Sequence, residues 1–197
     1  MRHNLPAMAV IHRKGLNLLR GFARAALACA ALCAAASLPA ETPSPGSFVP
    51  MKATPLPYIS RVVVHKSQRR LDLMQGSEVV RSYKVALGLV PQGHKERSGD
   101  FRTPEGSYAL TRRNARSDFF LSIQVSYPND RDMKNARANG WDPGGSIMIH
   151  GLPNRLKREP AYYAERDWTD GCIAVSNSDM VEIWLLTHDN TPIDILP

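Results

Sequence analysis

The sequence predicts a mainly β single domain with one substantial helix near its C-terminus, and three observations predict it. From Ile59 onward the chain falls into short β-branched runs separated by Gly, Asn, Asp and Ser clusters. Apolar spacing changes from every second residue to every third or fourth only after Ser176. Three long connections, 88–106, 128–145 and 152–169, interrupt this scaffold, and loops of that length in a compact domain are commonly functional.

Residues 1–40 read as an export signal. Arg2, Arg13, Lys14, Arg20 and Arg24 precede Ala25–Leu38, a run of Ala, Leu and Cys with one serine. That run is short of the ~20 apolar residues a spanning helix needs. Cleavage is expected after Ala36 or Ala40, and the domain then works in the periplasm or cell envelope. All five of those cations and none of the acids precede residue 41, so the formal charge of +7 falls to +2 on cleavage. The basic balance is mostly the signal's, and it argues for no nucleic-acid partner. Residues 41–57 carry Pro43, Pro45, Pro50, Pro55 and Pro57 and read as a linker. The remaining 58–197 suffice for one domain.

Within that domain, 59–66 and 69–74 read as strands, the second with Leu71 and Leu73 on one face. Gln75-Gly76-Ser77 turns into a third run, 78–87, so two hairpins in succession are expected. Ser107–Thr111 is short but strand-like. Leu121, Ile123, Val125 and Tyr127 alternate with polar residues, predicting one buried and one wet face. Residues 130–139 are polar and mildly helical. Ser176 starts a capped helix with Asp179 three residues on and Met180, Ile183, Trp184 and Thr187 on one face. Residues 193–196 form a short closing strand.

Removal of the signal takes Cys29 and Cys33 with it and leaves Cys172 alone. In an oxidising compartment a lone cysteine is either deeply buried or kept for its reactivity. Cys172 follows Gly171 at the start of a β-branched run, a sharp turn into a strand where backbone N–H groups can face a substrate oxygen. A thiol near its ordinary pKa of about 8.5 needs a base or a positive environment to attack. His150 ends the run Ile147-Met148-Ile149 and breaks into Gly151-Leu152-Pro153, which makes it the best-placed base. The bland alternative is a buried cysteine and a core histidine. Tyr162, Tyr163 and Trp168 in the third long loop read either as a cleft wall or as anchors of the loop. A zinc site from His150, Asp170 and Cys172 lacks the usual ligand spacing. Papain-type order is reversed here, and a Gly-x-Ser-x-Gly elbow is absent.

At these residues the chain resembles the L,D-transpeptidase catalytic (YkuD-like) domain family of bacterial cell-wall enzymes. The residues that carry the resemblance are His150-Gly151, Thr169-Asp170-Gly171-Cys172 and the turn Thr103-Pro104-Glu105-Gly106, with Gly88 before it. It spans about Ile59 to Pro197, and 167–175 with His150–Asn154 is similar to the YafK-like branch. The resemblance implies a YkuD-like β-sandwich of mixed sheets with long active-site loops and no metal or organic cofactor. It also implies that Cys172 attacks a peptidoglycan stem peptide at diaminopimelate and forms a thioester, with His150 as base. The Gly151 carbonyl would orient the imidazole, and the N–H groups of Gly171 and Cys172 would hold the oxyanion. Trp168, Thr169 and Asp170 are the expected substrate contacts. An amine acceptor gives a cross-link; water gives hydrolysis, and a wall-attached lipoprotein is a further partner that the YafK-like branch suggests. A non-catalytic wall-binding module on the same fold is the competing class. Two positions depart from the family pattern: Asp170 stands where most members have histidine, and Ala174 where many have Arg or Asn. Asp170 should raise the thiol pKa by like-charge repulsion unless a cation engages it.

Overall fold

The computed structural model describes residues 55–197. The expected signal, 1–40, and most of the linker lie outside the described residues.

The first two hairpins form as the alternation predicts. Strands β1 (Arg61–His65), β2 (Arg70–Gln75) and β3 (Glu78–Lys84) pair antiparallel in succession, with Val62, Val64, Leu71 and Leu73 fully buried. The next strand, β4 (Gly106–Ser117), is more than twice the expected length. Its second half, rich in Arg, hides from a hydropathy reading, with Arg112 and Arg116 exposed and Arg113 partnered. Arg113 donates to the carbonyl of Trp184 at 2.7 Å and stands 5.0 Å over that residue's ring, so it closes the end of a helix instead of facing water. Then follow β5 (Phe120–Val125), α1 (Asp130–Ala138), β6 (Met148–His150), α2 (Pro160–Glu165), β7 (Ile173–Ala174), α3 (Asn177–Leu186) and β8 (Pro192–Leu196). Ser176 caps α3, its hydroxyl accepting from the Asp179 N–H at 3.1 Å.

Mixed strands are present, but they hydrogen-bond into one eight-stranded order, β3-β2-β1-β8-β4-β5-β6-β7. β4 changes partner along its length: 106–109 pair with β8 and later residues with β5, across two register shifts. The last strand does not close an edge. It inserts between β1 and β4, parallel to β1, with Ile193 and Ile195 buried. One core cluster joins the two halves of the sheet to α3 through Met180 and Ile183. At roughly 25 cal/mol per Å2 of apolar surface removed from water, each such side chain contributes about 1.5–3 kcal/mol.

The wet face expected for β5 is corrected at one position. Ser122 is buried, because it lies directly opposite His150 on β6. At the other edge β7 is too short to hold itself, and it is fixed by pairing parallel to β6 and by a bridge between Ala174 and Ala86. Those pairings bring the His and Cys segments side by side.

Candidate active site

Parallel pairing puts Ile149 opposite Ile173 and His150 opposite Ala174. Side chains two apart on a strand share a face. Cys172, two residues before Ala174, therefore projects on the same face as His150, and both line a cavity of about 750 Å3.

His150 is 4% exposed, and its Nδ1 donates to the carbonyl of Gly151 at 2.7 Å. A carbonyl only accepts, so the proton sits on Nδ1 and Nε2 is the basic nitrogen. Among the described residues nothing hydrogen-bonds to Nε2. Burial pushes the imidazole pKa below its ordinary value, and the Gly151 carbonyl opposes that shift only in part. Gly151 is required sterically: a Cβ there would stand 2.5 Å from Asn177 Oδ1 and 3.1 Å from Phe120. Asn177 uses that oxygen to accept the N–H of Leu152 at 2.8 Å, which ties the turn after His150 to the start of α3.

Cys172 is the one cysteine among the described residues, half-buried and free. Its thiol lies 3.6 Å from the carbonyl of Ser146. Burial raises its pKa; a backbone hydrogen bond from Met148 draws it down, Asp170 raises it further, and Lys95 lowers it. Burial thus favours the neutral form of both side chains. Asp170 is exposed on the cavity wall and, among the described residues, forms neither an ion pair nor a hydrogen bond.

The turn that presents Cys172 rests on two glycines. Gly171 has φ +126, and a Cβ on it would stand 2.5 Å from the carbonyl oxygen of Arg102. A Cβ on Gly88 would meet the Phe101 carbonyl oxygen at 2.1 Å and the Gly171 Cα at 3.0 Å. Three backbone segments thus stack closer than any side chain allows. Thr169 staples the turn: its hydroxyl donates to the Cys172 carbonyl at 2.8 Å and accepts the Gly171 N–H at 3.1 Å. The Thr169 hydroxyl is thereby committed inside the turn, while the residue also lines the cavity. The Gly171 N–H is engaged by that hydroxyl.

Asp167 anchors the approach to the turn. It accepts the Leu87 N–H at 2.9 Å and pairs with Arg69 at 2.7 Å. Trp168 then packs its ring 5.6 Å from the imidazole and 5.1 Å from Tyr163. Its Nε1, buried and without a hydrogen-bond partner among the described residues, belongs to a residue on the cavity wall. Tyr163 anchors the loop, its hydroxyl accepting the Lys157 N–H at 3.0 Å, and lines the cavity with Tyr162 and Trp168, so both readings of these aromatics hold. Among the described residues no three His, Cys, Asp or Glu side chains are grouped to hold a metal ion, the set His150, Asp170 and Cys172 included.

The sequence reading missed Phe119, Ser122, Asn154 and Asn177, which surround His150 or fix its turn. One signal was available: Phe119-Phe120 sits at a hairpin tip, where polar or glycine residues are usual.

A mixed β-sheet presenting a histidine and a cysteine from adjacent parallel strands into one cleft defines a catalytic-domain architecture. This chain belongs to the L,D-transpeptidase catalytic domain family, YkuD, whose model matches residues 59–195. It is 33% identical over 129 residues to the Escherichia coli K12 protein named "Putative L,D-transpeptidase YafK", a match covering 62% of this chain and 45% of YafK. The helical cell shape determining protein Pgp2 of Campylobacter jejuni has a similar structure, with a TM-score of 0.54 and 25% identity, covering 71% of this chain and 49% of Pgp2. The chain thus spans less than half the length of either relative.

Proposed function

We propose that this chain is an exported cell-envelope enzyme that transfers acyl groups on diaminopimelate-containing peptidoglycan stem peptides through a thioester on Cys172. The observation that carries the proposal is the imidazole of His150, fixed through Nδ1 to Gly151, with its basic Nε2 unpartnered among the described residues in the cavity that also holds Cys172. Nε2 takes the thiol proton as sulfur attacks the carbonyl carbon. The N–H of Cys172 holds the developing oxyanion. The carbon–nitrogen bond then breaks, the imidazolium returns its proton to the departing amine, and a thioester remains. An acceptor amine attacks that thioester while His150 removes its proton, and the sulfur leaves to recover the thiol. Water in place of the amine gives carboxypeptidase or amidase activity, including release of a wall-linked lipoprotein, from the same intermediate.

Charge supports a stem peptide as substrate. Arg155, Lys157 and Arg158 line the cavity together with Asp118 and Asp170, and none of the five is in an ion pair among the described residues. A cleft with unpaired charges of both signs suits a zwitterionic peptide. Diaminopimelate, with a carboxylate and an ammonium on one side chain, is such a group. Export rests on the sequence of residues 1–40.

Intact mass after exposure to a carbapenem tests the chemistry. One covalent adduct per chain is expected in the folded protein and none in Cys172→Ala. An unmodified wild-type chain would instead indicate the wall-binding alternative. Incubation with tetrapeptide-bearing wall fragments, with and without a D-amino acid, then separates exchange from hydrolysis by its products.

A further inference from the structure

The tip of the β4–β5 hairpin is built against its own propensities. Ser117 pairs with Phe120, leaving Asp118 and Phe119 as the turn. Phe120 is held at φ +65, a region a bulky residue rarely occupies. Phe119 stays 37% exposed at a position where a polar residue would cost nothing. What stabilises this arrangement is Asn154. Its Oδ1 accepts the Phe120 N–H at 2.9 Å, its Nδ2 donates to the Ser117 carbonyl at 2.9 Å, and its own N–H donates to the Asp118 carbonyl at 2.9 Å. The Gly151 N–H is shared between the carbonyls of Phe119 at 3.1 Å and Leu121 at 3.2 Å. The hairpin tip and the turn that follows His150 are therefore one fastened unit.

The consequence falls on the imidazole. Phe119 lies with its ring centroid 4.6 Å from that of His150 and 6.1 Å from that of Trp168, and Trp168 lies 5.6 Å from His150. Two aromatic rings, those of Phe119 and Trp168, thus flank the base. We propose that Phe119, presented by the hairpin tip and fastened there by Asn154, is a positioning residue that fixes the His150 ring and screens it from water.

The other groups facing His150 do not replace this role. Ser122 from β5 lies opposite it and carries no charge, and Ala174 from β7 has no polar side chain. The titratable and charged groups that share the cavity are Cys172, Asp118 and Asp170, the cations Arg155, Lys157 and Arg158, and the hydroxyls of Tyr162 and Tyr163. None of them is in an ion pair or hydrogen bond with the imidazole. The aromatic wall is what separates it from water, consistent with burial being the main cause of its depressed pKa.

This inference builds on the proposed base role of His150 but is tested independently of turnover. An NMR titration of the His150 ring, identified by its absence in His150→Gln and run in the Cys172→Ala background, needs no reactive thiol. Phe119→Ala should raise the titration midpoint toward the ordinary histidine value of about 6.5. Phe119→Trp should keep the low midpoint, and Asn154→Ala should move it in the same direction as Phe119→Ala by a smaller amount. In the thiol-containing protein, Phe119→Ala should move the acid limb of carbapenem acylation to higher pH. It should also slow the maximal rate about tenfold, the scale expected when a reacting group loses orientation. A Phe119 that only lined the substrate cleft would change the half-saturating carbapenem concentration and leave both the midpoint and the acid limb in place; that result overturns the proposal. Because Phe119 is at an exposed tip, thermal melting of Phe119→Ala is expected to match the parent closely. Should it not, Phe119→Asn, which removes the apolar ring but suits a hairpin tip, supplies the same comparison, and an unchanged His150 midpoint there overturns the proposal equally.

Discussion

Lys66 and His150 are both buried polar side chains in strand-end positions, and they are treated in opposite ways. Lys66 is 2% exposed, and its three donors are all met: Gly93 carbonyl at 2.6 Å, Thr103 carbonyl at 2.9 Å and Glu105 at 2.8 Å. His150 is 4% exposed with one nitrogen satisfied and the other, among the described residues, unpartnered at a cavity. Burial lowers the pKa of both, but the Glu105 carboxylate opposes the shift of Lys66, whereas no charge opposes that of His150. A buried group with every valence used fixes structure, here the long loop 88–106 whose carbonyls abut Gly88 and Gly171. One that keeps a valence open remains available for chemistry. The next experiments test that contrast.

His150→Gln should give the largest effect. It keeps a polar side chain but removes the base, and loss of a general base typically costs on the order of 10^2 to 10^4 in rate. Acylation of Cys172, followed by intact mass, should slow by that factor with little change in melting temperature. A loss of stability without a loss of rate would make His150 a core residue like Lys66. Lys66→Met should do the converse. It strands Glu105 and two carbonyls, and breaking a buried ion pair costs about 3–5 kcal/mol. Urea unfolding should show a loss near the lower figure, since Glu105 is 22% exposed. A loss below ~0.5 kcal/mol would mean that the loop is held by other contacts.

The same contrast has a pH signature. The native pKa of His150 lies below that of the unfolded chain, about 6.5. The unfolded state therefore takes up the proton first, and stability rises with pH wherever it binds more protons. The contribution of keeping His150 neutral is fully present above about pH 6.5. It is lost as pH falls through the depressed native value. Unfolding measured across that range should show a pH-dependent component that disappears in His150→Gln.

How much of this arrangement could be read in the sequence depended on the range of the forces involved. The hairpins of β1 to β3, the Ser176 cap and the His150-Gly151 and Gly171-Cys172 steps are local, and alternation or turn chemistry marks them. The central position of β8 was not legible, because a parallel pairing with β1 over more than 100 residues leaves no local mark. α2 is six residues long, too short for a period to emerge from its loop. Phe119, Asn154 and Ser122 belong to strands and turns whose ordinary reading is complete without His150. Only the folded chain brings them to it. The inward hydrogen bonds of the Thr169 hydroxyl were equally illegible, since its sequence shows only that it stands three residues before Cys172.

Asp170 should give the smallest effect, and it probes the thiol half of the site. Three influences set the Cys172 thiol ahead of any cation: burial raises its pKa, the Met148 backbone bond lowers it, and Asp170 raises it again. Asp170→Asn removes only the last, and Asp170 is exposed, where solvent screens a charge strongly. The thiol pKa should fall slightly, and alkylation by iodoacetamide at pH 8 should quicken about two- to fivefold, as expected when a nearby like charge is removed. Added salt supplies the control. At 1 M the Debye length is about 3 Å, so the wild-type protein should approach the variant, while the variant changes little. A difference that persists unchanged in high salt would assign the effect to altered packing in the turn. No difference at all would mean that Asp170 faces the substrate without influencing the nucleophile.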